Sequence, residues 1–478
     1  MYIPQLGDTK PIYRALYFSI RKDISGGVLS SGFHLPSKRR LSGELGISIN
    51  TVDTAYQQLV SEGYLISKPQ KGFFVRTGFS ENLLPDTDNH PDYIYLSASA
   101  KTSLNTSENM LDFSPNGSDL SLFPISVIRR SLKKELENRL CFTTCPPQGS
   151  ERLRNALAIY LQNARGLFCS PAQILIGAGT DYLLQLLIQI LRIHTNDKIS
   201  IAMENPIYNK AYRIFAGLFT PVSFIPLDAA GIDMDILKKS KANITYTTPS
   251  HQFPLGLIMP AGRRFQLLKW ANQKNNRFII EDDYDSEFRY SGRPIPAIGG
   301  MANNEKTIYM GTFSKSISPS FRVSYLVLPP KLMNIYQNHL SYYSSTVSHF
   351  EQLLLANFIE TGEFERHISR MRVYFRKKRD LLLSLLSPYS RYLQIRGIDA
   401  GMHILCTVHN GMPESNLVST ARKARIIVYG ISEYYTDTVN SPEKYIPAST
   451  VLLGYAGLTD TEIEKGAAAL ISAWQLTL

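Results

Sequence analysis

A chain of 478 residues is longer than one compact core holds, so two or three domains are expected. Its 44% hydrophobic and 19% charged residues describe a soluble globular protein, and no 18-residue apolar run exists to cross a membrane. The net charge of +11 is uneven: residues 1–80 hold ten Lys/Arg against five Asp/Glu, which points to an acidic polymer as partner of that end.

The first fourteen residues lack the charged-then-apolar order of a secretory signal. Cys141, Cys145, Cys169 and Cys406 form no CxxC pair and have no histidine companions at ligand spacing. Neither disulfides nor a metal site are expected, and a reduced cytoplasm is the default. In residues 11–26, Ile12, Leu16, Ile20 and Ile24 fall at helical spacing. A second short helix opens after Leu35-Pro36, with Ser37 as its cap. Gly46 ends it, and Ser48 caps a third helix over 49–61. The runs 65–67 and 73–75 then form a hairpin around Lys68-Pro69-Gln70-Lys71-Gly72.

Helix, helix–turn–helix and hairpin together make a winged helix-turn-helix over residues 9–77, with double-stranded DNA as the expected partner. The third helix offers Ser48, Asn50, Thr51 and Asp53 to the major groove. Ser37, Lys38, Arg39 and Arg40 lie toward the phosphates, and Lys71 and Gly72 at the wing tip toward the minor groove. The alternative is a winged helix kept for protein contacts. The third helix has no arginine, so bidentate guanine contacts are not expected from it. Residues 78–110, rich in Ser, Asn, Asp and Pro without any period, read as a linker.

From residue 111 apolar runs alternate with helical stretches, the pattern of an α/β domain with a largely parallel sheet. Strands are expected at 174–176, 198–203, 222–226, 244–247, 277–280, 307–310 and 323–328, and helices at 151–165, 181–191, 208–217 and 261–275. Residues 335–386 read as helical and very basic, mostly a solvated face. Ser387-Pro388 ends that stretch, and strands at 402–407, 426–429 and 450–454 with a last helix make a smaller α+β lobe.

Binding groups belong at the carboxyl ends of such strands. Gly311-Thr312-Phe313-Ser314-Lys315, followed by Arg322, stands at one of them. A lysine amine desolvated there forms Schiff bases, while Thr312, Ser314 and Arg322 could hold a phosphate. A surface loop is the alternative, but matching parts recur. Gly179 and Thr180 open a helix after a strand, and Tyr208 could face a flat aromatic ligand. His251 and Gln252 end another strand with hydrogen-bonding side chains. In Glu281-Asp282-Asp283-Tyr284-Asp285, a run of acids, Asp282 suits a pyridinium nitrogen; a metal site is the alternative. Together they describe a pocket for pyridoxal phosphate.

The segments PSKRRLSGELGIS and AYQQLVSEGYL resemble the GntR type of DNA-binding domain. With IGAGT, TTPSHQFPLG, EDDYDSEFRY and MGTFSKS, nearly the whole chain outside the linker resembles the MocR family of bacterial regulators. That resemblance implies a fold type I aminotransferase-like domain in a head-to-tail homodimer that senses an amine, an amino acid or pyridoxal phosphate itself. It implies Lys315 as the Schiff-base residue, Asp282 on the pyridine nitrogen, Tyr284 on the ring hydroxyl and Tyr208 on the ring face. Gly179, Thr180, Thr312 and Arg322 are implied for the phosphate. Lys210 and Glu433 stand where the family's γ-aminobutyrate-responsive members carry effector-binding arginines. The expected function is a pyridoxal-phosphate-dependent transcriptional regulator without full transamination. The alternative is a working aminotransferase with an accessory DNA-binding domain.

Overall fold

The computed structural model describes residues 2–4, 10–77, 110–292, 295–301, 305–436 and 449–477. The chain divides into two compact units, residues 1–107 and 108–478. The expected linker lies, except for Met110, outside the described residues.

In the first unit α1 (Ile12–Ser25), α2 (Lys38–Leu45) and α3 (Ile49–Ser61) precede the antiparallel pair β1 (Leu65–Lys68) and β2 (Gly72–Val75). Leu16, Tyr17, Ile20 and Ile24 of α1 pack with Val52, Ala55, Tyr56 and Leu59 of α3, whereas Ile12 is left exposed in the first turn. Both expected caps form: Ser37 Oγ accepts from Arg40 N, and Ser48 Oγ from Thr51 N. Between α2 and α3, Gly46 takes the left-handed φ of +63° that lets the chain reverse. The wing turn closes through Lys71 N donating to Lys68 O at 3.0 Å.

The second unit is built on an eight-stranded sheet. Its order is Ile174–Ala178, Val323–Val327, Thr307–Thr312, Phe278–Asp283, Ile244–Thr247, Ile201–Asn205, Val222–Asp228 and Gly231–Ile232. The five strands from Thr307–Thr312 to Val222–Asp228 are mutually parallel, and Val323–Val327 runs against both of its neighbours. Successive side chains alternate between the two faces. Ile280 packs with the helix Gly179–Thr195, and Ile279 with the helix Ala261–Asn272 on the other side. The smaller lobe is an antiparallel sheet in the order Leu393–Arg396, His403–Val408, Thr450–Gly454 and Tyr429–Gly430.

Three expectations are refined. The helical stretch expected at 335–386 is made of three helices, Pro330–His339, His349–Glu360 and Glu363–Leu386. Ser348 caps the second of these by accepting from Glu351 N, and Gly362 at φ +70° separates the last two. Its charge is also not all solvated. Lys378 is fully buried, 2.6 Å from Asp119 and donating to Ala456 O. Finally, the strand expected at 426–429 splits: Ile426–Ile427 pairs with Leu111–Asp112, while Tyr429–Gly430 joins the lobe sheet.

Candidate functional site

One pocket opens at the carboxyl ends of the parallel strands. Each wall is supplied by a different strand end. Thr180 and Asp181 follow Ile174–Ala178, Tyr208 and Lys210 follow Ile201–Asn205, and Thr248 and Phe253 follow Ile244–Thr247. Asp282 and Tyr284 close Phe278–Asp283, while Thr312, Ser314 and Lys315 close Thr307–Thr312. Arg322 precedes the antiparallel strand Val323–Val327 and so enters from the same edge. Asn116 comes from the start of the unit.

Lys315 Nζ has loose partners, Pro115 O and Asn116 Oδ1, both at 3.4 Å. Burial lowers its pKa below the ordinary lysine value, with the nearby Asp285 opposing. Burial also pushes the Asp282 carboxyl up to about 7; the hydrogen bond from Tyr246 opposes this, and Asp283, Asp285 and Glu204 add to it. Asp282 Oδ2 accepts from Tyr246 Oη, whereas Oδ1 is buried without a hydrogen-bond partner. Gly179 has φ +85°, and a Cβ there would stand 2.4 Å from Arg322 Nη2, so only glycine lets the arginine lie over this turn.

Strand alternation explains how three successive acids are buried together. Asp282 faces the pocket, and its neighbours face the opposite side of the sheet. There Asp283 meets Arg165 at 2.8 Å and accepts from Tyr309 Oη at 2.5 Å. Glu281 accepts from Ile298 N at 2.8 Å, and Arg264 and Arg165 offset the burial that raises its pKa to about 7. Among the described residues no cluster of His, Cys, Asp and Glu could hold a metal ion.

Not every expected site residue lines the pocket. His251 is buried beside Tyr284, 2.8 Å from Asp285, and its carbonyl accepts from Tyr284 Oη at 3.0 Å. Gln252 donates to Pro206 O and Phe253 O. Glu433 lies in the turn Ile431–Tyr434, where its carbonyl accepts from Asn209 Nδ2 at 2.8 Å. Lys210 does line the pocket but is bound to Asp181 at 2.5 Å. Asn116, Asp181, Thr248 and Phe253 are pocket residues that sequence reasoning did not select.

On the first unit, Arg39, Asn50 and Lys71 are exposed. Lys38 and Asp53 were both expected to face DNA, yet they meet each other at 2.6 Å. Arg40 pairs with Glu44 at 2.9 Å. Ser48 Oγ and Thr51 Oγ1 lie 2.8 Å apart within the cap. Gly72 has φ +93°, and a Cβ there would meet His34 Nε2 at 2.9 Å.

Residues 12–75 match the family model of bacterial regulatory proteins, gntR family, and residues 108–470 match aminotransferase class I and II. The HTH-type transcriptional regulator YdeL of Bacillus subtilis is 38% identical, over 98% of this chain and 97% of its own. The rhizopine catabolism regulatory protein MocR of Rhizobium meliloti is 29% identical, over 97% of this chain and 94% of its own. An archaeal alanine:glyoxylate aminotransferase superposes with a TM-score of 0.68 over 80% of this chain and 94% of its own, at 22% identity, a likeness of fold. With a GntR-type helix-turn-helix and a fold type I aminotransferase domain on one chain, the protein belongs to the MocR-type family of transcriptional regulators.

Proposed function

We propose that the regulator holds pyridoxal phosphate on Lys315 and couples occupancy of that pocket, by the cofactor alone or with a small amine or amino acid, to DNA binding. The observation that carries this is a half-buried lysine with loose partners in one pocket with Asp282, whose buried Oδ1 has no hydrogen-bond partner. The donor set fits the group: Asp282 for the ring nitrogen, Tyr284 for the ring hydroxyl, Tyr208 for the ring face. Gly179, Thr180, Thr312 and Arg322 would receive the phosphate. When bound, the cofactor supplies an aldehyde for amines and an electron-withdrawing ring.

The chain's own part is to disfavour the charged form of the Lys315 amine by burial and to hold Asp282 with Tyr246. Tyr284 is held in turn by the His251 carbonyl, and His251 by Asp285. The working unit in this reading is a cytoplasmic head-to-tail homodimer. A working aminotransferase with an accessory DNA-binding domain is the rival, since it needs the same pocket. Incubation of cofactor-loaded protein with an amino donor and a keto acid separates them. We expect changes in operator affinity without sustained amino-group transfer; sustained turnover that ignores DNA would favour the enzyme.

A further inference from the structure

Asp181 stands in the first turn of the helix Gly179–Thr195, between Lys210 and Arg322, which both line the pocket. Its Oδ2 lies 2.5 Å from Lys210 Nζ and 3.2 Å from Arg322 Nη2. Arg322 is also pressed onto the turn at Gly179, where a Cβ would come within 2.4 Å of Nη2. An anionic group entering this turn therefore meets a guanidinium already engaged by a carboxylate. A dianionic phosphate and a carboxylate that share one arginine repel each other.

We propose that Asp181 competes with the ligand's phosphate for Arg322, and that Lys210 favours the phosphate by drawing the carboxylate away. This rests on the pocket reading above and deepens it, because the protein's own carboxylate then sets how readily the pocket fills. Lys210 suits the role as a compact charge on a flexible stem, while Arg322 offers a planar fork matched to a phosphate. The pair also accounts for Lys210 within the fold without an effector carboxylate. The Asp181, Lys210 and Arg322 side chains are 31%, 48% and 50% exposed, so solvent screens the repulsion and the effect is modest.

The test uses the full-length protein freed of cofactor and titrated with pyridoxal phosphate and, separately, with pyridoxal, followed by visible absorption. Asp181→Asn should tighten pyridoxal phosphate by about threefold to tenfold and leave pyridoxal unchanged. Lys210→Met should weaken pyridoxal phosphate when Asp181 is present and have little effect beside Asp181→Asn. Added salt should narrow both differences. Pyridoxal affinity reports that each variant retains a folded pocket. Unchanged or weaker pyridoxal phosphate binding by Asp181→Asn, with pyridoxal binding intact, overturns the competition alone. If the unaltered protein binds neither compound, the pocket reading falls and the competition with it.

Discussion

Asp53 of α3 holds Lys38 of α2 at 2.6 Å, so two residues on the face expected to meet DNA neutralise each other. Lys38 also lies 5.3 Å from the centre of the Phe73 ring, which fixes it against the wing. Arg39 beside it is exposed and, among the described residues, makes no ion pair or side-chain hydrogen bond. Phosphate contact from this turn therefore rests on Arg39 more than on Lys38. Arg39→Ala should lower affinity on operator and random duplex alike and make the log–log salt slope shallower by about 0.9. Asp53→Asn should do the reverse by freeing Lys38. Anisotropy titrations at several salt concentrations check both, and an Arg39→Ala loss confined to the operator would contradict this assignment.

Burial lowers the Lys315 pKa, so the folded, cofactor-free protein disfavours its charged form. The sign follows from linkage. With a folded pKa below the unfolded 10.5, the chain loses stability as pH falls from 10.5 toward the folded pKa. Lys315→Met should therefore stabilise the cofactor-free protein at pH 7, and the gain should shrink toward alkaline pH. Urea denaturation at pH 7 and pH 10 measures it.

Arg165 joins the back of the sheet to the acid run: it meets Asp283 at 2.8 Å and donates to Ile295 O and Ser250 Oγ. Arg165→Met keeps bulk but leaves buried carboxylates without that cation. A loss of about 3–5 kcal/mol is expected for the second unit, read from its denaturation midpoint. A change under 1 kcal/mol would mean the carboxylates find other relief.

Among the described residues, Lys210 is the pocket cation not assigned to the cofactor, and it is bound to Asp181, while Glu433 does not line the pocket. Arg425 is exposed beyond the helix Glu414–Lys423 and does not line it either. γ-Aminobutyrate should therefore change neither the visible spectrum nor operator affinity appreciably. A cationic or neutral amine, a differently shaped amino acid or pyridoxal phosphate is the better ligand. Titration with γ-aminobutyrate, following both signals, tests this.

The residues legible in the sequence are those that end a strand. Thr180, Tyr208, Asp282, Lys315 and Arg322 each sit at the change from an apolar run to polar residues or the reverse, and strand ends are where such sheets bind. Strand alternation, less visible in the text, separates Asp282 from Glu281 and Asp283 and explains why three acids need two different surroundings. His251 and Gln252 look like pocket residues because a loop's sequence does not tell which side faces in. Gln252 spends its amide on Pro206 O and Phe253 O. Asn116 arrives from a segment 199 residues before Lys315, and no local spacing reports such a contact. The break before His349 could have been read: Ser348 and Glu351 stand in the S-x-x-E order of a helix start.

The central claim is that one lysine of this DNA-binding chain carries the cofactor. Full-length protein loaded with pyridoxal phosphate should absorb in the visible, and borohydride should leave a pyridoxyl group on a single peptide, the one containing Lys315. Lys315→Ala should lose both signals, and its DNA affinity should match that of the cofactor-free protein. A tag on another lysine, or none on protein that still answers to its effector, would contradict the account.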